Sequence, residues 1–396
     1  MVATGPLTYL DHAATTPLRP EARAAMLPWL GERFGNPSGS HAVARAARQA
    51  IDEARDTVAA VLGCQPNEVV FTGGGTEADN LAVVGVATAR PGTVLASAVE
   101  HHAVLEPVHV AGGHTVPVDR RGVVDLDALA ERLAAHPDTT VVAVMTANNE
   151  VGAIQPIDDV IRLVRKHAPE ASVHTDAVPA AAWLDLATVT AGADLVAVSG
   201  HKVGGPQGVG VLVVRRGTPL RARSLGGGQE RELRSGTHNV AGIVGTAAAL
   251  AAKAAVRGDE AARVRAQRDR LAQGLLAAIP DASETAVPDG DRDHLLPNLA
   301  HLTLPGVESE ALLFLLDEAG ICASAASACA SGAQEASHVL AAMGLALTPD
   351  TGALRLSLGW TTTDADIDRV LDVLPVIVDR LRGAPSTLVR SPDHGR

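Results

Sequence analysis

The sequence predicts an α/β fold built on a largely parallel sheet, followed by a second, smaller α+β domain. Three observations predict it. Short β-rich runs alternate with Ala-, Arg- and Glu-rich stretches of helical character as far as the 250s. The β-rich runs are almost continuously apolar, as strands covered on both faces must be. At 396 residues, moreover, the chain exceeds what one hydrophobic core normally organises.

In chain order, strands are expected at 68–72, 93–97, 141–146, 172–175, 194–199 and 210–214, where apolar and β-branched residues run together. Helices are expected between them at 40–62, 76–89, 125–135 and 158–167, and then at 240–255. A long charged helix over 259–279 changes the pattern and marks the domain boundary. The expected division is a large domain, 12–255, and a small one formed by 1–11 with 256–383. The polar, Pro-containing end, 384–396, is expected to be disordered.

Composition removes several function classes. A formal charge of −12 argues against direct, non-specific nucleic-acid binding. No apolar run approaches the roughly eighteen residues of a membrane span, and the first residues lack the pattern of a signal peptide. Three cysteines, Cys64, Cys322 and Cys329, are too few for a disulfide framework, so a reducing cytoplasm is the expected compartment. With aromatics at only 2%, a stacking platform for a flat ligand would have to be a histidine.

The chemistry gathers at strand ends. Ser199-Gly200-His201-Lys202 closes an apolar run and opens onto a glycine-rich turn. A partly desolvated lysine there is suited to forming a Schiff base, since desolvation lowers an amine's pKa. Pyridoxal phosphate (PLP) needs such a lysine, hydroxyl and imidazole donors for its phosphate, and an acidic partner for its ring nitrogen. Asp176 ends another strand and can supply that acid, or simply cap a helix. Gly75 and Thr76 lie where a strand passes into a helix, and free N–H groups at a helix start bind phosphate. One imidazole of His101-His102 can stack on a pyridine ring and exchange protons. Adjacent residues point apart and no third ligand is evident, so no metal site is expected. The Asn148-Asn149 amides suit a ring hydroxyl, a substrate carboxylate or a plain turn. Arg355, on an apolar strand, suits either a substrate α-carboxylate or an internal ion pair. Cys329 has small neighbours on both sides and can reach a ligand as a nucleophile.

With these residues assembled, the chain resembles the cysteine desulfurases of the class V aminotransferase family, in the iron–sulfur-assembly group whose nucleophile sits in a Ser-Ala-Cys loop. The resemblance runs from Tyr9-Leu10-Asp11-His12 to about Val378. Its blocks keep the family's order: Gly35-Asn36-Pro37-Ser38, Gly75-Thr76-Glu77, Glu100-His101, Asn148-Asn149-Glu150-Val151-Gly152, Ser199-Gly200-His201-Lys202, Arg234-Ser235-Gly236-Thr237 and Ser327-Ala328-Cys329. It implies the fold-type-I PLP architecture, with a mostly parallel seven-stranded sheet, in a homodimer with composite sites. It implies that Lys202 carries PLP and that Asp176 pairs with its ring nitrogen. Gly75, Thr76, Ser199 and His201 would then hold the phosphate, and Thr237 the partner's phosphate. By the same resemblance His101 stacks on the ring, Asn149 contacts the cofactor, and Asn36 and Arg355 hold the substrate carboxylate. L-Cysteine would be converted to L-alanine, its sulfur passing to Cys329 as a persulfide and then to an acceptor protein for iron–sulfur assembly, tRNA thiolation or DNA phosphorothioation.

Two departures stand out. Pro179 takes the place of a glutamine whose amide donates to the ring hydroxyl, and proline has no such donor. Ala325-Ala326 replaces Ser-Gly ahead of Ser327, removing backbone freedom and predicting a more ordered Cys329 segment. The competing readings are a selenocysteine lyase or other class V PLP enzyme, and a non-catalytic scaffold descended from a desulfurase.

Overall fold

The computed structural model describes residues 7–325, 337–345, 348 and 351–383. A short strand, β1 (Thr8–Tyr9), precedes the seven strands of the main sheet. These are β2 (Val69–Thr72), β3 (Thr93–Ser97), β4 (His114–Val116), β5 (Thr139–Ala143), β6 (Ser172–Asp176), β7 (Leu195–Ser199) and β8 (Gly210–Val214). Their order across the sheet is β2-β8-β7-β6-β5-β3-β4. Only β8 runs against its neighbours β2 and β7; the remaining pairs are parallel. Parallel strands need helices on both faces, and β5, β6 and β7 are buried at every residue. The sequence missed β4, whose His114-Thr115-Val116 is too short and polar to read as a strand.

Helices α1 (Pro20–Met26), α2 (Ala42–Leu62), α3 (Gly75–Ala89), α4 (His102–Val110), α5 (Leu126–Ala135), α6 (Ile157–His167) and α7 (Leu186–Val189) accompany these strands. The predicted α6 shows why such segments are readable. Asp158 and Asp159 sit in its first turn and Arg165, Lys166 and His167 in its last, matching the helix dipole.

Where two helices were expected, at 240–255 and 259–279, one continuous helix forms, α8 (Val240–Ala278). No proline interrupts it, and Gly258 costs a helix interior only about 1 kcal/mol. The boundary placed in the 250s therefore falls inside this helix. It packs on α1 and α2 and also meets β10 (Leu299–Pro305) and α11 (Asp364–Gly383). Among the described residues it alone is long and apolar enough to cross a membrane, with an 18-residue stretch of mean hydropathy 1.4. Half of that stretch is buried within the fold, as in a core helix. The alanines that fill it fall short of an unbroken apolar run, which is why the sequence did not flag it.

Beyond α8 lie β9 (Ser283–Glu284), α9 (Ser309–Glu318), β11 (Ile321–Cys322), α10 (His338–Ala342) and β12 (Thr351–Ser357). Strand β10 pairs antiparallel with both β9 and β12, while β1 returns from the N-terminus to pair with β11. That return brings the loop after β1 up to the carboxyl ends of the main strands, where ligands bind in open α/β sheets.

Candidate active site

Lys202 ends a single 3₁₀ turn, Gly200–Lys202, directly after β7. The turn hugs α8 so closely that a Cβ on Gly200 would sit 2.6 Å from Thr246 Oγ1, so only glycine fits. Lys202 Nζ donates to the carbonyls of Ala13 and Ala14, the latter at 2.8 Å. Those carbonyls belong to the loop after β1, which Ser357 pins by accepting the Ala13 N–H through its Oγ at 2.9 Å. The sequence marks only Tyr9–His12, where the resemblance begins, and gives no sign of this contact with Lys202.

Asp176, at the end of the neighbouring β6, is 3% exposed. Burial first, and then the charge of Asp79, push its carboxyl up to about 8, although the Val178 N–H donates to Oδ1 at 2.8 Å. Behind it, His174 Nε2 and Asp79 Oδ1 share a hydrogen bond of 3.0 Å at full burial. Burial lowers His174 to about 4 and raises Asp79 well above the usual carboxylate range. Asp79 was overlooked, though an aspartate within the apolar face of α3 is a readable signal.

An open cleft of about 770 Å³, within the usual size of small-molecule sites, lies beside Ser199 and His201, though neither Lys202 nor Asp176 is among the residues lining it. Gly73, Gly74, Gly75 and Thr76 line it where α3 begins, facing Ser199 and His201. The first N–H groups of a helix have no partner within it. Gly74, at φ +149°, has open space where a Cβ would stand, and Gly75 lies against Val178. His201 Nδ1 and Thr15 Oγ1 share a hydrogen bond of 3.1 Å. Burial, with the Lys202 charge beside it, lowers His201 to about 4. Asn80, Thr15 and Gln207 also line the cleft and were not singled out from sequence.

His101 is the N-cap of α4, its Nδ1 accepting the Ala103 N–H at 3.1 Å. Its proton therefore resides on Nε2. Burial, then the Lys202 charge, lower it to about 4, so the ring is neutral near pH 7. Its neighbour Glu100 is fully buried and pushed well up by that burial, Oε1 accepting the Met145 N–H at 2.7 Å.

The structure divides the Asn pair. Asn148 makes the plain turn, Oδ1 accepting the N–H groups of Glu150 and Val151 at 2.8 and 2.9 Å. The Asn149 carbonyl accepts Arg355 Nη1 at 3.1 Å. Arg355 also forms an ion pair with Asp11 at 2.9 Å, while its buried Nε has no partner among the described residues. The internal ion pair raised as one reading of Arg355 is thus present. Asn36 lies in an exposed Asx turn, Oδ1 accepting the Ser38 N–H at 3.0 Å. No hydrogen bond joins Asn36 to Arg355 among the described residues. Thr237 is exposed and is not among the residues lining the cleft. Cys329, with the order expected of its segment, lies outside the described residues, as does the tail from 384. Cys64 and Cys322 carry free thiols, and burial pushes Cys64 up to about 11 and raises Cys322 as well. Neither is therefore disposed to be a thiolate. Among the described residues no cluster of three or more His, Cys, Asp and Glu is placed to hold a metal ion.

The donor set fits PLP. A buried carboxylate suits a pyridinium N–H, and a helix start with glycines, a threonine and a serine suits a dianionic phosphate. A neutral imidazole and a lysine complete the set.

Comparison with known proteins gives the same direction. The aminotransferase class-V family model matches residues 8–370. An IscS-like cysteine desulfurase of Mycobacterium tuberculosis is 44% identical over 392 residues, covering 96% of this chain and 98% of that protein. Among solved structures, a NifS-like protein superposes with a TM-score of 0.87 at 35% identity, covering 95% of this chain and all of that one (100%). SspA in complex with cysteine matches with a TM-score of 0.74 at 30% identity, over 89% of this chain and 98% of its own.

Proposed function

This chain belongs to the aminotransferase class-V family and is a PLP-dependent cysteine desulfurase, and we propose that Lys202 carries the cofactor and Cys329 accepts the sulfur. The observation that carries this reading is the placing of Lys202 and Asp176 at the ends of adjacent parallel strands, beside the glycine-rich start of α3. When bound, PLP withdraws the electrons left by loss of the substrate α-proton.

The residues then take distinct tasks. Asp176 receives the pyridinium N–H and keeps that nitrogen charged. Gly75, Thr76, Ser199 and His201 bind the phosphate, and Asn149 and the neutral ring of His101 lie against the cofactor. Arg355, preset by Asp11 and the Asn149 carbonyl, directs guanidinium N–H groups at the substrate carboxylate, with Asn36 assisting. Lys202 would be the amine placed to take the substrate α-proton, with the Ala13 and Ala14 carbonyls holding its Nζ. The Cys329 thiolate attacks the substrate sulfur. An S–S bond forms as the Cβ–S bond breaks; Cβ then takes a proton and Cα regains the one held by the Lys202 amine, which gives alanine. The Cys329 persulfide passes its outer sulfur to an acceptor protein.

A homodimer in the cytoplasm is part of this reading. Leu27, Leu30, Phe34 and Leu225 are more than half exposed in the single chain and suit burial by a second copy. Thr237 would reach the partner's phosphate. The free, half-buried Cys64 and Cys322 suit a reducing compartment. The large domain is taken as 12–255 and the small as 1–11 with 256–383. The test is reduction of the holoprotein with borohydride followed by peptide mapping. Pyridoxyl attached at Lys202 supports the assignment; attachment at another lysine contradicts it.

A further inference from the structure

Three successive non-glycine residues, Glu230, Arg231 and Glu232, have φ of +48°, +57° and +63°. L-residues avoid this left-handed region because Cβ crowds the following carbonyl. A turn of this kind persists only where its surroundings impose it. Glu230 supplies the constraint. Its carboxylate, on a residue only 5% exposed, accepts Arg55 Nη1 and Nη2 at 2.9 and 2.7 Å, the Phe71 N–H at 2.9 Å and His238 Nε2 at 2.8 Å. Burial alone would raise this carboxyl, but the hydrogen bonds from His238 and Arg55, with the Arg55 charge and the Phe71 N–H, hold it at about 2.

Both ends of this turn lead to the start of α3. Phe71 lies in β2, which runs straight into Gly73–Thr76. On the other side, Arg234 donates Nε and Nη2 to Glu77 at 2.7 and 3.2 Å, and Glu77 Oε2 in turn accepts the Gly73 N–H at 2.7 Å. The clamp on Glu230 fixes the turn, the turn aims Arg234, and Arg234 with Glu77 fixes the glycines. We propose that Glu230 is a positioning residue for phosphate recognition, acting through Arg234 and Glu77 to hold the Gly73–Thr76 backbone in its anion-binding shape. The inference rests on the reading that this cradle receives the cofactor phosphate.

The test titrates full-length protein, stripped of cofactor, with PLP and separately with pyridoxal, which keeps the ring and aldehyde but lacks the phosphate. Glu230→Gln and Arg234→Gln are expected to raise the Kd for PLP about tenfold and leave that for pyridoxal within about twofold. Should Glu230→Gln fail to fold, Arg234→Gln carries the test without touching the buried carboxylate. Variants that keep the wild-type ratio of the two Kd values, whether binding is unchanged or uniformly weaker, overturn the proposal. A wild-type protein that binds pyridoxal as tightly as PLP overturns instead the phosphate reading on which it rests.

Discussion

At the scale of single residues, burial sets charge states that a ligand can then exploit. Asp176 is raised to about 8 by desolvation and by Asp79, so ionising it in the unliganded fold is unfavourable. The sign follows directly. A carboxyl whose folded pKa lies above its unfolded value lowers stability as pH rises from about 4 to about 8. Asp176→Asn should therefore make the cofactor-free protein more stable at pH 8, on the order of a few kcal/mol, with the gain vanishing toward pH 4. The same variant should lower desulfurase activity about 100-fold or more, because the pyridinium loses its counter-charge. Thermal denaturation of stripped protein against pH, with alanine release, checks both. Pro179 offers a second test. It follows Val178, whose N–H holds Asp176, and brings no donor of its own. Pro179→Gln should tighten PLP binding and shift the pH at which the Lys202 Schiff-base absorbance changes; an unchanged titration would remove Pro179 from the account.

At the scale of elements, the start of α3 is where backbone shape matters most. A Cβ on Gly75 would lie 2.9 Å from Val178 Cγ2, so Gly75→Ala must displace the residue whose N–H orients Asp176. Weaker PLP binding, by about tenfold, is expected with little change in Tm, since alanine is the better helix former. The Glu230 clamp carries its own pH signature. With a folded value near 2, it stabilises the protein fully above about pH 4.3 and loses that contribution as pH falls through about 2. Glu230→Gln should flatten the acid limb of unfolding in that window. The candidate residues at strand ends were legible in sequence where an apolar run stops at a polar residue, as β7 does at Ser199, or where a short β-rich run closes on a carboxylate, as β6 does at Asp176. What stayed hidden depends on partners distant in the chain. Arg355 and Asp11 are 344 residues apart, and Glu230 is buried by Arg55, Phe71 and His238. No local pattern reports such pairings. The unbroken α8 was hidden for a different reason: a change from apolar to charged composition resembles a boundary even when the backbone continues.

At the scale of the whole molecule, the main sheet supplies the proposed cofactor site, and the region after α8 supplies Arg355. The loop after β1 joins them through Ala13, Ala14 and Asp11. The exposed Leu27, Leu30 and Phe34 are the surface proposed above to be covered by a second copy. Leu30→Glu with Phe34→Glu should give monomers by sedimentation and weaken PLP binding, because Thr237 would no longer reach the neighbouring site; dimers that persist would place the interface elsewhere. The central claim concerns the fate of the sulfur. The most direct measurement is mass spectrometry of the protein after one turnover with L-cysteine, beside alanine release by Cys329→Ala. One added sulfur on the peptide bearing Cys329, with alanine release abolished in the variant, is the predicted result. Undiminished alanine from Cys329→Ala, or the added sulfur on another cysteine, would contradict it.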